Sequence, residues 1–198
     1  MYVDHLENIL EEIDRYNGED PNTILVDGKN LPAELIYGQR MYDIVQVLKP
    51  KADHALLIAA RAQHIQRWKI ARTSYSDDRE GYLRWRNDLK KMHAIIIADL
   101  LHSKGCEEAL VDRVVFLVQK KDFKRDADSQ TIEDAACLVF LQYYFDEFAG
   151  KTEEAKVIDI IKKTWIKMSE QAKNLAFELA LSPLCKVLVG KALNGQPE

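Results

Sequence analysis

DDREGYLRWRNDLKKMHAIIIADLLHSKG (77–105) decides the fold. Asp77 or Asp78 is placed to accept from the first free N–H groups of a helix, and Ser103-Lys104-Gly105 supplies a stop. Between them the spacing predicts one helix of about 27 residues. Its second half, MHAIIIADLL (92–101), is apolar enough to lie against a core. A helix of that length in a chain with only eight Gly and five Pro points to long uninterrupted elements.

Outward from it, the same pattern repeats. Asp53 can cap a helix running through ALLIAARAQHIQRW (55–68), whose apolar content makes it central. Before that, Pro32 suits a first helical turn, and Leu35, Ile36, Met41, Ile44, Val45 and Leu48 carry a helix to Lys49, where Pro50 ends it. Val3, Leu6, Leu10 and Ile13 mark an acidic amphipathic helix over 2–16, stopped at Asn17-Gly18. ILVDGKN (24–30) holds an Asp-Gly turn signal and room for a short strand with no evident partner. Downstream, helices are expected over 107–121, over 131–150 with Thr131 as cap, from Thr152 through Trp165, over 169–181 and beyond Ser182-Pro183. The segment 122–130 reads as a charged loop. The expectation is an all-α protein, a single domain over 1–198 with about seven to nine helices around one core.

Composition narrows the classes. Hydrophobic content of 47% and charged content of 30% fit an ordinary globular chain. No apolar run reaches the roughly 18–20 residues that span a bilayer, so no membrane partner is expected. The N-terminus lacks the basic and apolar regions of a signal peptide, and Cys106, Cys137 and Cys185 are odd in number and widely spaced. Both features predict a reduced, cytoplasmic protein with free thiols.

The charge pattern locates a candidate site. From Arg61 to Lys91 nine Lys and Arg stand against four Asp and Glu, a local +5 in a chain of net charge −4. His64 lies there with Arg61, Arg67 and Trp68 at helical spacing. Nearby guanidiniums favour its neutral form, which suits a base or a metal ligand. Tyr82, Arg86, Lys90 and His93 differ by four, four and three, so they share about one face of the long helix. Arg67, Arg72 and Arg86, with Tyr82 and Trp85, are suited to grip and wall an anion. Asp134 shares a stripe with Leu138 and Leu141, so it is expected to point inward, while Glu133 has the ready explanation of a first-turn acid. Against these stand plainer readings: a core imidazole, snorkelling cations, a solvated basic face. Nucleic acid is disfavoured by the acidic total charge, and an anionic small molecule fits better. No P-loop, GxSxG or HExxH is present; the Lys167-Met168-Ser169 tripeptide stands without a nucleotide-binding unit.

PAELIYGQRM (32–41), AARAQHIQRWKIAR (59–72), GYLRWRNDLKKMH (81–93), IEDAACLVFLQYYFDEFAG (132–150) and KTWIKMS (163–169) together resemble domain of unknown function 4202 along nearly the whole chain. More distantly, the order of elements resembles the HD superfamily of helical metal-dependent phosphohydrolases and oxygenases. In one register AARAQHIQR matches the family's His-Asp helix, with Gln63-His64 as the pair and Arg40 near the early His. In the other ADLLHSKG matches it, with His102-Ser103 as the pair and His64 as the early His. Asp134 matches the final Asp in both, and His93 matches an additional His. The resemblance implies His64, His93 and Asp134 as acid–base groups, and His64, His93, Glu133 and Asp134 as a divalent-metal set. It implies hydrolysis of a phosphorylated small molecule as the reaction. Only part of the family's ligand set survives in either register. The alternative is a non-catalytic protein docking an acidic partner or nucleic acid through residues 61–91.

Overall fold

The computed structural model describes residues 3–194. Their order is α1 (Val3–Asn17), β1 (Thr23–Val26), β2 (Lys29–Pro32), α2 (Ala33–Leu48), α3 (His54–Arg61), α4 (Arg79–Ser103), α5 (Glu108–Val118), α6 (Ala127–Val139), α7 (Phe145–Gly150), α8 (Glu154–Lys167), α9 (Glu170–Glu178) and α10 (Pro183–Leu193). The chain divides into two compact units, Met1–Ile132 and Glu133–Glu198. The all-α expectation holds: the two strands are the only sheet among the described residues.

The strand without a partner finds it across its own turn. β1 and β2 pair antiparallel, Val26 opposite Lys29. Asp27 and Gly28 between them both take left-handed backbone (φ 49° and 77°), the geometry that two-residue hairpins favour. The hairpin delivers the chain to α2, whose first turn is capped from a distance. Asp20, buried, accepts from the Glu34 N–H (3.0 Å).

In the first unit α3 is the buried axis. Ala55, Leu56, Leu57, Ile58, Ala59 and Ala60 are all inside, and α1, α2 and α5 pack around them. Asp53 caps it as expected, accepting from Leu56 N–H at 2.9 Å. The helix ends at Arg61, however, and does not reach Trp68. Gln63 Nε2–H donates to the Ala59 carbonyl (3.3 Å), and Gln66 turns left-handed at φ 52°. A non-glycine residue adopts that conformation only where something holds it. Here Asn17 Oδ1 accepts the Gln66 N–H at 2.9 Å in a buried contact. Arg61 itself forks onto Asp14 of α1, with Nε at 2.6 Å and Nη2 at 2.5 Å.

The long helix is α4, capped by Asp78, which accepts from Gly81 N–H at 2.6 Å. Its apolar end packs on α5. Further along, Arg113 pairs with Asp126 (2.8 Å) and Asp128 (2.7 Å), and Lys49 also reaches Asp128 (2.5 Å). The N-terminal end of α6 therefore starts four residues before Thr131, which lies inside the helix and donates to the Ala127 carbonyl.

In the second unit a π-helical stretch, Phe140–Tyr144, separates α6 from α7, and α8 packs on α10. Ser169 and Ser182 cap α9 and α10. Among the described residues no helix is long and apolar enough to cross a membrane. Cys106, Cys137 and Cys185 are free thiols, the last two buried.

Gly38 tests how closely α2 approaches the end of α3. A Cβ there would stand 2.6 Å from the Arg61 carbonyl oxygen, a backbone atom. In an open helix Gly→Ala gains about 1 kcal/mol. Here Gly38→Ala is expected to destabilise by about 1–3 kcal/mol through overpacking, lowering the melting temperature by about 2–4 °C per kcal/mol. A thermal melt checks this; an unchanged or raised midpoint would contradict the close approach.

Candidate functional site

The early end of α3 places His64 in a turn, not on a helix as its spacing suggested. Three contacts hold it there. The Tyr37 ring stacks on the imidazole, with centroids 3.9 Å apart and planes 7° from parallel. Nδ1–H donates to Glu34 Oε2 at 3.1 Å. Glu34 also accepts from Arg67 Nη1 (3.4 Å), whose guanidinium lies 5.0 Å over the Trp85 ring. Trp85 is fixed in turn, its Nε1–H donating to the Ile70 carbonyl at 2.9 Å.

The charges in this group follow from its burial. Burial by itself pushes the Glu34 carboxyl up, but His64 and Arg67 outweigh it and bring the carboxyl below its ordinary range. Glu34 is thus a carboxylate. Burial is also the main influence on His64 and pushes the imidazole down; Glu34 opposes this, while Arg67 and Lys120 add to it. His64 is therefore neutral at neutral pH. Next to an ionised Glu34 its proton sits on Nδ1, which leaves the Nε2 lone pair available.

His93 comes to the same place from α4. Its ring centroid is 6.1 Å from that of His64. It is only 3% exposed, and burial, then the neighbouring His64, push it down to about 3. It shares a hydrogen bond with the Gln63 backbone, while its Nε2 has no protein partner. A buried imidazole nitrogen without a partner is costly, so this atom calls for a ligand or a water.

Both histidines line one cavity of about 260 Å³, all of it within the first unit. Its wall also carries Arg67, Tyr82, Trp85, Arg86, Lys90 and Lys120, and no carboxylate. The structure thus brings together His64, His93, Arg67, Tyr82, Trp85 and Arg86 from the sequence-derived set. Arg72 is not among the lining residues: its guanidinium donates to the Tyr75 and Ser76 carbonyls at 3.1 and 2.9 Å. Arg86 lies 5.8 Å over the Tyr82 ring.

Asp134 and Glu133 belong to the second unit, where both have partners. Asp134 accepts from the Ser169 N–H (2.8 Å) and hydroxyl (2.5 Å), tying α6 to the start of α9. Glu133 pairs with Lys167 at 3.3 Å. The Lys-Met-Ser tripeptide is therefore part of a helix start. Among the described residues no group of three or more His, Cys, Asp or Glu is gathered to hold a metal ion. The donor set expected for a divalent metal is not assembled. In the second HD register, His102 is exposed and faces Glu108 at 3.1 Å, and Ser103 donates to the Leu100 carbonyl.

Three residues of the site were missed in the sequence. Glu34 and Tyr37, both in α2, carry no local signal that ties them to His64. Lys120 sits just beyond α5 at φ 51°, a left-handed position usually given to glycine. A helix read through to 121 hides it.

The family model for domain of unknown function DUF4202 matches residues 7–189. The chain belongs to this family. The match spans both units, so every residue of the cavity wall lies within the DUF4202 region. Comparison with curated proteins and with solved structures gives no match.

Buried His93 and half-buried His64, both held below the ordinary imidazole range, make acid the weak direction for this DUF4202 protein. Folded, His93 takes its proton only near about 3; unfolded, it titrates near 6.5. Between these values the unfolded chain binds the proton and the folded chain does not, so stability falls as pH drops through that window. His64 acts in the same direction. His93→Gln is expected to flatten the pH dependence of urea unfolding between about pH 7 and about pH 4.5. An equal slope in the variant and the parent would show that His93 is not held neutral.

Proposed function

We propose that the cavity binds a phosphorylated small molecule and that His64 is the general base for its hydrolysis. The composition of the wall carries this reading. Four cations enter from three directions: Arg67 from the turn after α3, Arg86 and Lys90 from α4, and Lys120 from the end of α5. They share the cavity wall with a neutral imidazole oriented by a carboxylate. The aromatic faces under Arg67 and Arg86 hold those guanidiniums in place before any ligand arrives. The reaction class follows the distant resemblance of the sequence to the HD superfamily.

In this reaction a water molecule gives a proton to His64 Nε2 as its oxygen attacks phosphorus. The bond from phosphorus to the leaving oxygen breaks, and the imidazolium returns the proton to that oxygen. Glu34, beside Nδ1–H, stabilises the imidazolium while it exists. The cations offset charge on the phosphoryl oxygens. Every step uses the chain's own groups, because the described residues assemble no three-donor metal set.

A thermal-shift screen of phosphorylated metabolites tests binding. A ligand at about a hundred times its Kd adds about 2.7 kcal/mol of stability, a shift of several degrees that Arg67→Gln is expected to abolish. Preference for single-stranded nucleic acid over every small phosphate would overturn the cavity reading in favour of a docking surface. For a turned-over ligand, Glu34→Gln is expected to lower kcat by about a hundredfold with KM little changed. Full turnover in that variant would remove His64 as the base.

A further inference from the structure

Independently of the histidine cavity, we propose that the second unit carries a site for an aliphatic carboxylate: an alkyl chain with an anionic head. The site is a cavity of about 510 Å³, lined wholly by residues of Glu133–Glu198. Small-molecule sites span about 300–1,000 Å³ and have mostly apolar walls with a few polar groups. This cavity is of that kind. Leu141 and Ala176 on its wall are buried, whereas Phe177 is 65% exposed and Lys186 is exposed. It therefore runs from a wet mouth to a dry, apolar floor. Trp165 closes one side, its ring edge-on to Phe177 with centroids 5.1 Å apart.

The shape points to a chain. On α10, Lys186, Val189, Gly190 and Leu193 recur at helical spacing, so one face of that helix fronts the cavity. From Lys186 to Leu193 this face runs roughly 10 Å along the axis, an apolar track with an ammonium at one end. Gly190 is a separate sign of a ligand. Glycine weakens a helix interior, and here packing does not demand it, because a Cβ would meet nothing within 4 Å. The room it leaves belongs to the cavity. Across from it, Leu141 comes from the π-helical stretch Phe140–Tyr144, a distortion found frequently at functional sites. Charge then sets the head group. Lys186 is the one charged side chain among the described lining residues, and no carboxylate is among them. Asp146, at the start of α10, is not on this wall; it accepts from the Ser182 hydroxyl and the Cys185 thiol. A cation at the mouth of an apolar cavity favours an anionic head over a neutral one.

Calorimetric titration of the full chain with octanoate and with octanol tests the proposal. Octanoate is expected to bind about fivefold tighter than octanol, the advantage of a partly exposed ion pair. Lys186→Met keeps the apolar stem and is expected to erase that difference. Gly190→Leu fills the cavity and is expected to weaken octanoate by about tenfold or more, at an unchanged or higher melting temperature. Equal affinity of the parent for the two probes overturns the carboxylate head. Octanoate binding in Gly190→Leu equal to that of the parent overturns the site. A parent dimer that Gly190→Leu converts to monomer, seen by sedimentation, overturns the ligand in favour of a second copy of the chain. Binding of neither probe at millimolar concentration overturns the proposal outright, and that comparison requires no variant to fold.

Discussion

The first unit depends on one constraint: α3 is buried, and a buried helix must end without leaving carbonyls unpaired. Its last turn is closed by Gln63 on the Ala59 carbonyl, by Arg61 forked onto Asp14 and by the left-handed turn at Gln66 that Asn17 secures. Removing one partner of such a fork costs more than the fork contributes, because it strands the other charge. The same closure pins the five-residue segment that carries His64. The site is therefore a consequence of how a core helix stops.

Around that point, burial and charge act against each other in a useful way. Desolvation alone would neutralise Glu34, yet His64 and Arg67 keep it ionised; desolvation also keeps both imidazoles neutral. The result is a carboxylate behind, a neutral base in front and cations on the wall. Carboxylate–imidazole pairs of this kind orient a base and stabilise its protonated form. The placement is held by stacking as much as by charge, since Tyr37 covers one face of His64 and Trp85 supports Arg67.

Much of the site was legible in the sequence, and the reason is helical periodicity. Tyr82, Trp85, Arg86 and His93 lie on one continuous helix, where spacing alone puts side chains on a face. Residues contributed from other elements were harder. Glu34 and Tyr37 come from α2, thirty and twenty-seven positions before His64, and no local pattern ties them to it. Lys120 depended on α5 ending early. Arg72 fitted the composition of an anion grip, but its donors close its own loop. Asp134 was read correctly as facing inward; its burial is matched by Ser169, a partner thirty-five residues away.

By itself, the sequence determined the helical class, the long capped α4, the acidic α1 and the charge reversal over residues 61–91, because caps, breakers and periodicity act over a few residues. Tertiary structure alone decided where α3 stops, which carboxylate meets His64, the Lys120 contribution, the β1–β2 pairing and the division into two units. Those outcomes turn on contacts between residues distant in the chain. Their energies come from desolvation and from partner groups that no window of sequence contains.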